Sequence, residues 1–163
     1  MSLSPFFYLE VYDNAKNMWE IVDPLVWNYD HTDRRLAEFW PFNGTHELFE
    51  ILGCDKGACS NDFNAIAYGL PNGCSKEVEE AFSQHDELRP KWFTYADAMI
   101  YYLKKPLVDD PWSEPDEETG KIPQVDNPIK GLLDRVDAFL EVWDEYGRYL
   151  LYPSRIRIIF DVI

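Results

Sequence analysis

The chain has 163 residues, 46% hydrophobic and 16% aromatic, with 15 basic against 30 acidic side chains and a formal charge of −15. That apolar content excludes global disorder, and one domain of this length buries roughly 70% of the surface its unfolded form exposes. The charge repels phosphates and anionic lipid headgroups, so direct nucleic acid binding and a membrane-surface role are not expected.

In chain order, Pro5 to Tyr12 is rich in aromatic and branched residues, and Trp19 to Val22 follows an Asp13 to Asn17 turn; together they predict a β-hairpin. Leu25 to Tyr29 extends the second strand beyond a bulge at Pro24, and 29–43 reads as an ordered loop with a helical turn. Thr45 caps a short helix over 45–52 that buries Leu48, Phe49, Ile51 and Leu52, and Gly53 permits a left-handed exit. Cys54 to Asn64 is loop-like, with a turn at Asn61 to Phe63. Ser75 then caps a helix reaching about Gln84, with Val78 and Phe82 buried and Lys76, Glu77, Glu79 and Glu80 in water. Thr94 to Asp97 has capping-box spacing for a helix that Pro106 stops after Lys104.

Residues 106–128 hold five prolines, a run of acids and little apolar content, which predicts a solvated, partly disordered excursion with Trp112 docked on the body. Asn127 and Pro128 start the longest helix, whose apolar positions from Ile129 through Trp143, Tyr146 and Leu150 recur at helical spacing. Pro153 ends it. Ile156, Ile158 and Phe160 then alternate with Arg155, Arg157 and Ile159 in a terminal strand beside the opening hairpin. The expected fold is a single α+β domain over 1–163: a small antiparallel sheet from the N-terminal hairpin and C-terminal strand, with helices packed on one face.

Gly44-Thr45-His46-Glu47-Leu48-Phe49-Glu50-Ile51-Leu52-Gly53 resembles a segment running Arg-Asn-Tyr-Asp-Leu-Phe-Ala-Ile-Leu-Ala in a family of uncharacterised phage and prophage proteins. The resemblance continues in order through Tyr8-Leu9-Glu10, Gly69-Leu70-Pro71, Trp92-Phe93-Thr94 entering a helix, and Arg155 to Asp161. It implies a fold and a biological origin, and no activity. The family's Cys-Asp-Ile-His and His-Ser-His-Ser signatures fall here on Leu3 to Phe6 and Leu88 to Lys91, which lack the imidazoles and thiolates a transition metal needs.

Chemistry-bearing residues are sparse. Cys54, Cys59 and Cys74, even with His46 and His85, fit no zinc spacing and no disulfide framework. His31, His46 and His85 have no nucleophile context, and the isolated glycines form no phosphate-binding loop. No catalytic residue, metal ligand or cofactor is therefore assigned. Asp134, Asp137, Glu141, Asp144 and Glu145 line one side of the long helix. With Asp109, Asp110, Trp112, Glu114, Asp116, Glu117 and Glu118 they form a candidate partner surface; Trp27 and Trp40 are further candidate interface anchors. A plain amphipathic helix produces the same acidic stripe.

No apolar leader or membrane-length apolar run is present, so a cytoplasmic location is expected. The expected function is that of a phage- or prophage-derived accessory protein that binds an unidentified, basic protein partner without catalysis. Three alternatives stay open: a metal-assisted hydrolase using the clustered carboxylates, an acidic mimic of DNA, and a self-associating virion or assembly component.

Overall fold

The computed structural model describes residues 5–22, 48, 51–52, 63–110, 112–144, 147 and 151–162. A five-stranded antiparallel sheet organises them. Its strands are β1 (Pro5–Asp13), β2 (Met18–Ile21), β3 (Ala67–Tyr68), β4 (Lys91–Thr94) and β7 (Ile156–Val162), in the order β2-β1-β7-β4-β3. Three helices are described: α1 (Lys76–Ser83), α2 (Tyr95–Lys104) and α3 (Ile129–Trp143). A separate two-stranded ribbon pairs β5 (Leu107–Asp109) with β6 (Gln124–Asp126).

The opening hairpin forms because Asp13 supplies its own turn chemistry. Its Oδ1 accepts from the amides of Ala15 at 2.8 Å and Lys16 at 3.3 Å, and Asn17 closes the turn at φ 52°, a conformation asparagine tolerates. β1 then pairs along its length with β7, from Pro5 opposite Val162 to Val11 opposite Ile156, as expected for the two termini.

Alternation along β1 and β7 sorts side chains onto two faces. Phe7, Leu9, Val11, Ile156, Ile158 and Phe160 enter the main core with α2 and α3. Aromatic rings form its centre: Phe7 stacks on Phe160 at 5.4 Å, and Phe93 meets Phe160 edge-on at 5.6 Å. Leu48, Ile51 and Leu52 join this core, with the Leu52 amide donating to the Leu48 carbonyl at 2.9 Å. Those three positions follow the expected burial; Phe49 lies outside the described residues, as do the expected strand over 25–29, the loops at 29–43 and 54–62, and Gly53.

The opposite face is also covered, which corrects the expectation of helices on one side only. Tyr8 and Ile159 pack with Val78 and Phe82 of α1 and with Leu88 in a second apolar cluster. β7 is central, so Ile158, Ile159 and Phe160 are all fully buried, as befits a strand enclosed from both sides. Ser75 caps α1 by accepting from the Val78 amide at 3.4 Å, and Thr94 caps α2 by accepting from Asp97 at 3.1 Å. The residues that lead into that helix, Trp92, Phe93 and the cap Thr94, form the end of β4, where Phe93 lies opposite Ile158 in the core.

Two further expectations change. α3 ends at Trp143, short of Tyr146 and Leu150, which lie outside the described residues. Gly147, at φ 62°, donates its amide to Asp144 and turns the chain away. Residues 106–128 form an ordered ribbon instead of a partly disordered excursion, with Leu107, Val108 and Asp109 opposite Asp126, Val125 and Gln124. Pro106 and Pro123 flank its strands and accept through their carbonyls from Asn127 and Asp110, so proline limits strand length without breaking the ladder. No helix among the described residues is long and apolar enough to cross a membrane.

Glu10 and Arg157 are directly opposed in β1 and β7, 0% and 3% exposed, with Oε1 and Nε 2.8 Å apart. Arg157→Leu is expected to lower unfolding free energy by about 3–5 kcal/mol, because it leaves a buried carboxylate without its cation. Glu10→Leu combined with Arg157→Leu should cost less than the two single losses summed. Urea denaturation of the three variants checks both statements, and additive losses would show that the pair is not coupled.

Candidate partner-binding surfaces

The acidic residues of the ribbon divide into turn builders and outward-facing charges. Asp110 accepts from the Trp112 amide at 3.0 Å and the Ser113 hydroxyl at 2.6 Å, and these bonds, the hydroxyl first, hold its carboxyl below the usual range. Asp116 accepts from the amides of Glu118 at 2.8 Å and Thr119 at 3.0 Å, with the same effect on its acidity, Thr119 contributing most. Asp109 accepts from the Gln124 side chain across the strands. Glu114, Glu117 and Glu118 are exposed. Trp112 is 87% exposed, which corrects the expectation that it docks on the body: the Asp110 turn presents the indole outward.

Asp134, Asp137, Glu141 and Asp144 recur at helical spacing on α3, the first three exposed and Asp144 half-buried at the helix end; Glu145 lies outside the described residues. Asp137, Glu141 and Asp144 border a cleft of about 620 Å³. Met99, Leu140, Leu151, Pro153 and Ile156 supply its apolar lining, and Tyr95 completes one wall. The Tyr95 hydroxyl donates to Asp137 at 2.7 Å. Partial burial of the phenol first, and then this bond and the charge of Asp137, push its pKa above the ordinary value of 10.0.

The two acidic regions start from different ends of the helix pair. The ribbon leaves the end of the helix pair where the Asn127 side chain donates to the Lys105 carbonyl, whereas the cleft lies where Tyr95 of α2 meets Asp137. Asp137 is about 12 Å along α3 from Ile129, and Asp144 about 10 Å farther.

A third charged cluster is buried in the second face of the sheet, and it is the feature that reading the sequence missed. The Arg157 guanidinium sits over the Trp19 ring, 3.7 Å from its centroid, with Trp92 at 5.8 Å. The second oxygen of Glu10 accepts from the Ser75 amide at 2.7 Å, tying the sheet to the start of α1. Burial pushes the neighbouring Cys74 thiol up, reinforced by the charges of Glu10 and Glu79, so Cys74 is a poor nucleophile. The available signal was a glutamate and an arginine each flanked on both sides by apolar residues within a strand, Leu9 and Val11 in β1 and Ile156 and Ile158 in β7.

Among the described residues no three His, Cys, Asp or Glu side chains form a group that could hold a metal ion. Cys54, Cys59, His31, His46, Trp27 and Trp40 lie outside those residues; His85 stands 3.7 Å from Glu87 on the surface. No protein family, curated protein or solved structure matches the chain.

Tyr95→Phe removes the bond to Asp137 and should destabilise the fold by about 0.5–1 kcal/mol at neutral pH. Because the folded state raises the Tyr95 pKa, its contribution is complete below about pH 10 and declines as pH rises through the folded value. Urea midpoints measured across the alkaline range should therefore converge for wild type and Tyr95→Phe; a constant gap would refute the linkage. Asp116→Ala should speed hydrogen exchange at the Glu118 and Thr119 amides and leave the global unfolding midpoint unchanged.

Proposed function

We propose that this is a phage- or prophage-derived accessory protein of the cytoplasm that works by binding a basic protein partner, without catalysis of its own. The observation that carries the reading is the ribbon. From Tyr102 to Asp126 no described side chain is fully buried, so this length of ordered chain adds little to the core. It holds Trp112 in solvent beside Glu114, Asp116, Glu117 and Glu118. An ordered projection without a core role is characteristic of functional loops, and an exposed tryptophan among carboxylates suits lysine or arginine through both charge and ring. The phage origin rests on the resemblance carried by the motifs from Tyr8 to Asp161.

The carboxylates do not support the hydrolase alternative. Asp110 and Asp116 are engaged in their own turns, and among the described residues the acids of α3 follow one helix surface and form no group that could hold a metal ion.

Affinity capture from a bacterial lysate at low and then high salt tests the proposal. A basic protein should be retained at low salt and released at high salt, because exposed charge pairs weaken under screening. Trp112→Ala with Glu117→Lys should weaken its retention at least tenfold, about the loss expected when an interface tryptophan is truncated. A complex that resists salt and tolerates both substitutions would overturn the reading, as would a defined turnover reaction by the purified protein.

A further inference from the structure

Two of the three described helices turn charge toward solvent, with Glu77 and Glu80 exposed on α1 and Asp134 and Glu141 exposed on α3. α2 differs. Ala98 and Tyr101 face the core, and the opposite side carries Ala96, Ile100 and Leu103, which fall on one stripe at helical spacing. Ile100 is 51% and Leu103 73% exposed, so this helix is apolar on both sides and covered on one. Single exposed apolar side chains are ordinary, but a continuous apolar stripe on the solvent side of a helix marks a surface that another body covers.

The charges beside the stripe identify that body. Asp97 and Lys104 are the charged residues of α2, one of each sign, and neither is in an ion pair with a described residue. They flank the stripe on the same side, seven positions and about 10.5 Å apart along the axis. A second α2 laid antiparallel about a two-fold axis brings its Lys104 opposite Asp97 and its Asp97 opposite Lys104, with Ile100 and Leu103 of both copies in between. We propose that α2 is the contact of a symmetric dimer, with Ile100 and Leu103 packed on the same residues of a second copy and an Asp97–Lys104 pair at each end. The inference goes beyond the partner-binding reading and does not rest on it. A basic partner of the kind the ribbon suits finds no net attraction on this face, whereas the face complements its own reversed copy charge for charge. The formal charge of −15 opposes self-association, but charges farther apart than about 8 Å are largely screened at physiological salt. A contact through one ten-residue helix is smaller than the standard interface of about 1,200–2,000 Å², so the dimer is weak, with a Kd on the order of 10–100 µM. Such a dimer carries two ribbons, so a partner with two basic segments would be held by both.

Sedimentation equilibrium of the full chain from about 1 µM to about 1 mM, a range spanning the expected Kd, is the test. Wild type should pass from monomer to dimer and no further. Ile100→Gln combined with Leu103→Gln should weaken association at least about tenfold and leave the urea midpoint in place, since both side chains are exposed in the monomer. Asp97→Lys alone and Lys104→Asp alone should each weaken it at least about fivefold, because each sets like charges opposite one another at both ends of the contact. Mixed in equal amounts, these two variants should associate within about twofold of wild type, because every pair across the axis is then one acid and one base. Diffuse charge predicts the reverse: Asp97→Lys makes the chain less acidic and would self-associate more tightly than wild type. Recovery on mixing requires both variants to be folded, so misfolding cannot imitate it; should Asp97→Lys fail to fold, the double glutamine substitution alone decides. A monomer throughout the range overturns the proposal, as does a dimer that the glutamine substitutions leave intact or a mixture no tighter than Asp97→Lys by itself. A monomer that loses a lysate protein on the glutamine substitutions would show that a different chain covers the stripe, and the dimer falls. None of these outcomes touches the ribbon, whose reading is decided by its own salt-dependent capture.

Discussion

The pairing of Glu10 with Arg157 is the constraint on which the rest of the sheet depends. The two residues are 147 positions apart in sequence, yet they oppose each other across β1 and β7 with a 2.8 Å contact in a dry setting. A one-residue slip between these strands would put Glu10 and Arg157 on opposite faces of the sheet, leaving one of the two charges on the main core face among Phe7, Leu9, Ile158 and Phe160. Register is thereby specified twice, by the apolar alternation and by a charge pair that has only one acceptable partner. The same carboxylate also accepts from Ser75, so the position of α1 is tied to that register. The pair therefore links three elements, even though buried ion pairs contribute little net stability compared with apolar replacements.

Placing the C-terminal strand at the centre has consequences for assembly. β7 bridges β1 on one side and β4 on the other, so the five-stranded sheet cannot close until the last part of the chain is present. Contacts of such sequence separation carry a large loop-closure cost before they are rewarded, which places this topology among slower-folding arrangements. The local devices reduce the search: the Asp13 turn, the Ser75 and Thr94 caps, and the Asn127 side chain that accepts from Ile129 at 3.1 Å at the start of α3.

The excess acid serves two different physical purposes. Asp13, Asp110 and Asp116 shape backbone turns by accepting amide hydrogens, and their charge is incidental to that task. Glu114, Glu117, Glu141 and their neighbours project into solvent and set the negative field of the surface. Sequence reading recognised both acidic regions but combined them into one surface. The antiparallel course of α2 and α3 starts them at different ends, because the ribbon grows from the helix ends at Lys105 and Asn127 while the α3 acids extend toward Tyr95 and Leu151. The apolar lining of the cleft was not legible at all: Met99, Leu140, Leu151 and Ile156 come from four separate stretches of chain, and each alone reads as ordinary core.

What the sequence by itself determined is local: the hairpin turn, the starts of α1, α2 and α3, the alternation of the terminal strand and the acidity of the surface. Each depends on side chains within a few residues of the backbone they organise, so spacing is enough to reveal it. Only the tertiary structure decided that Trp92 to Thr94 belong to a strand, that both sheet faces are covered, that residues 106–128 form an ordered ribbon presenting Trp112, and that Glu10 and Arg157 neutralise each other. Those outcomes depend on partners far away in sequence, where burial and pairing override local propensity, and no spacing along one chain encodes which distant residue will be opposite.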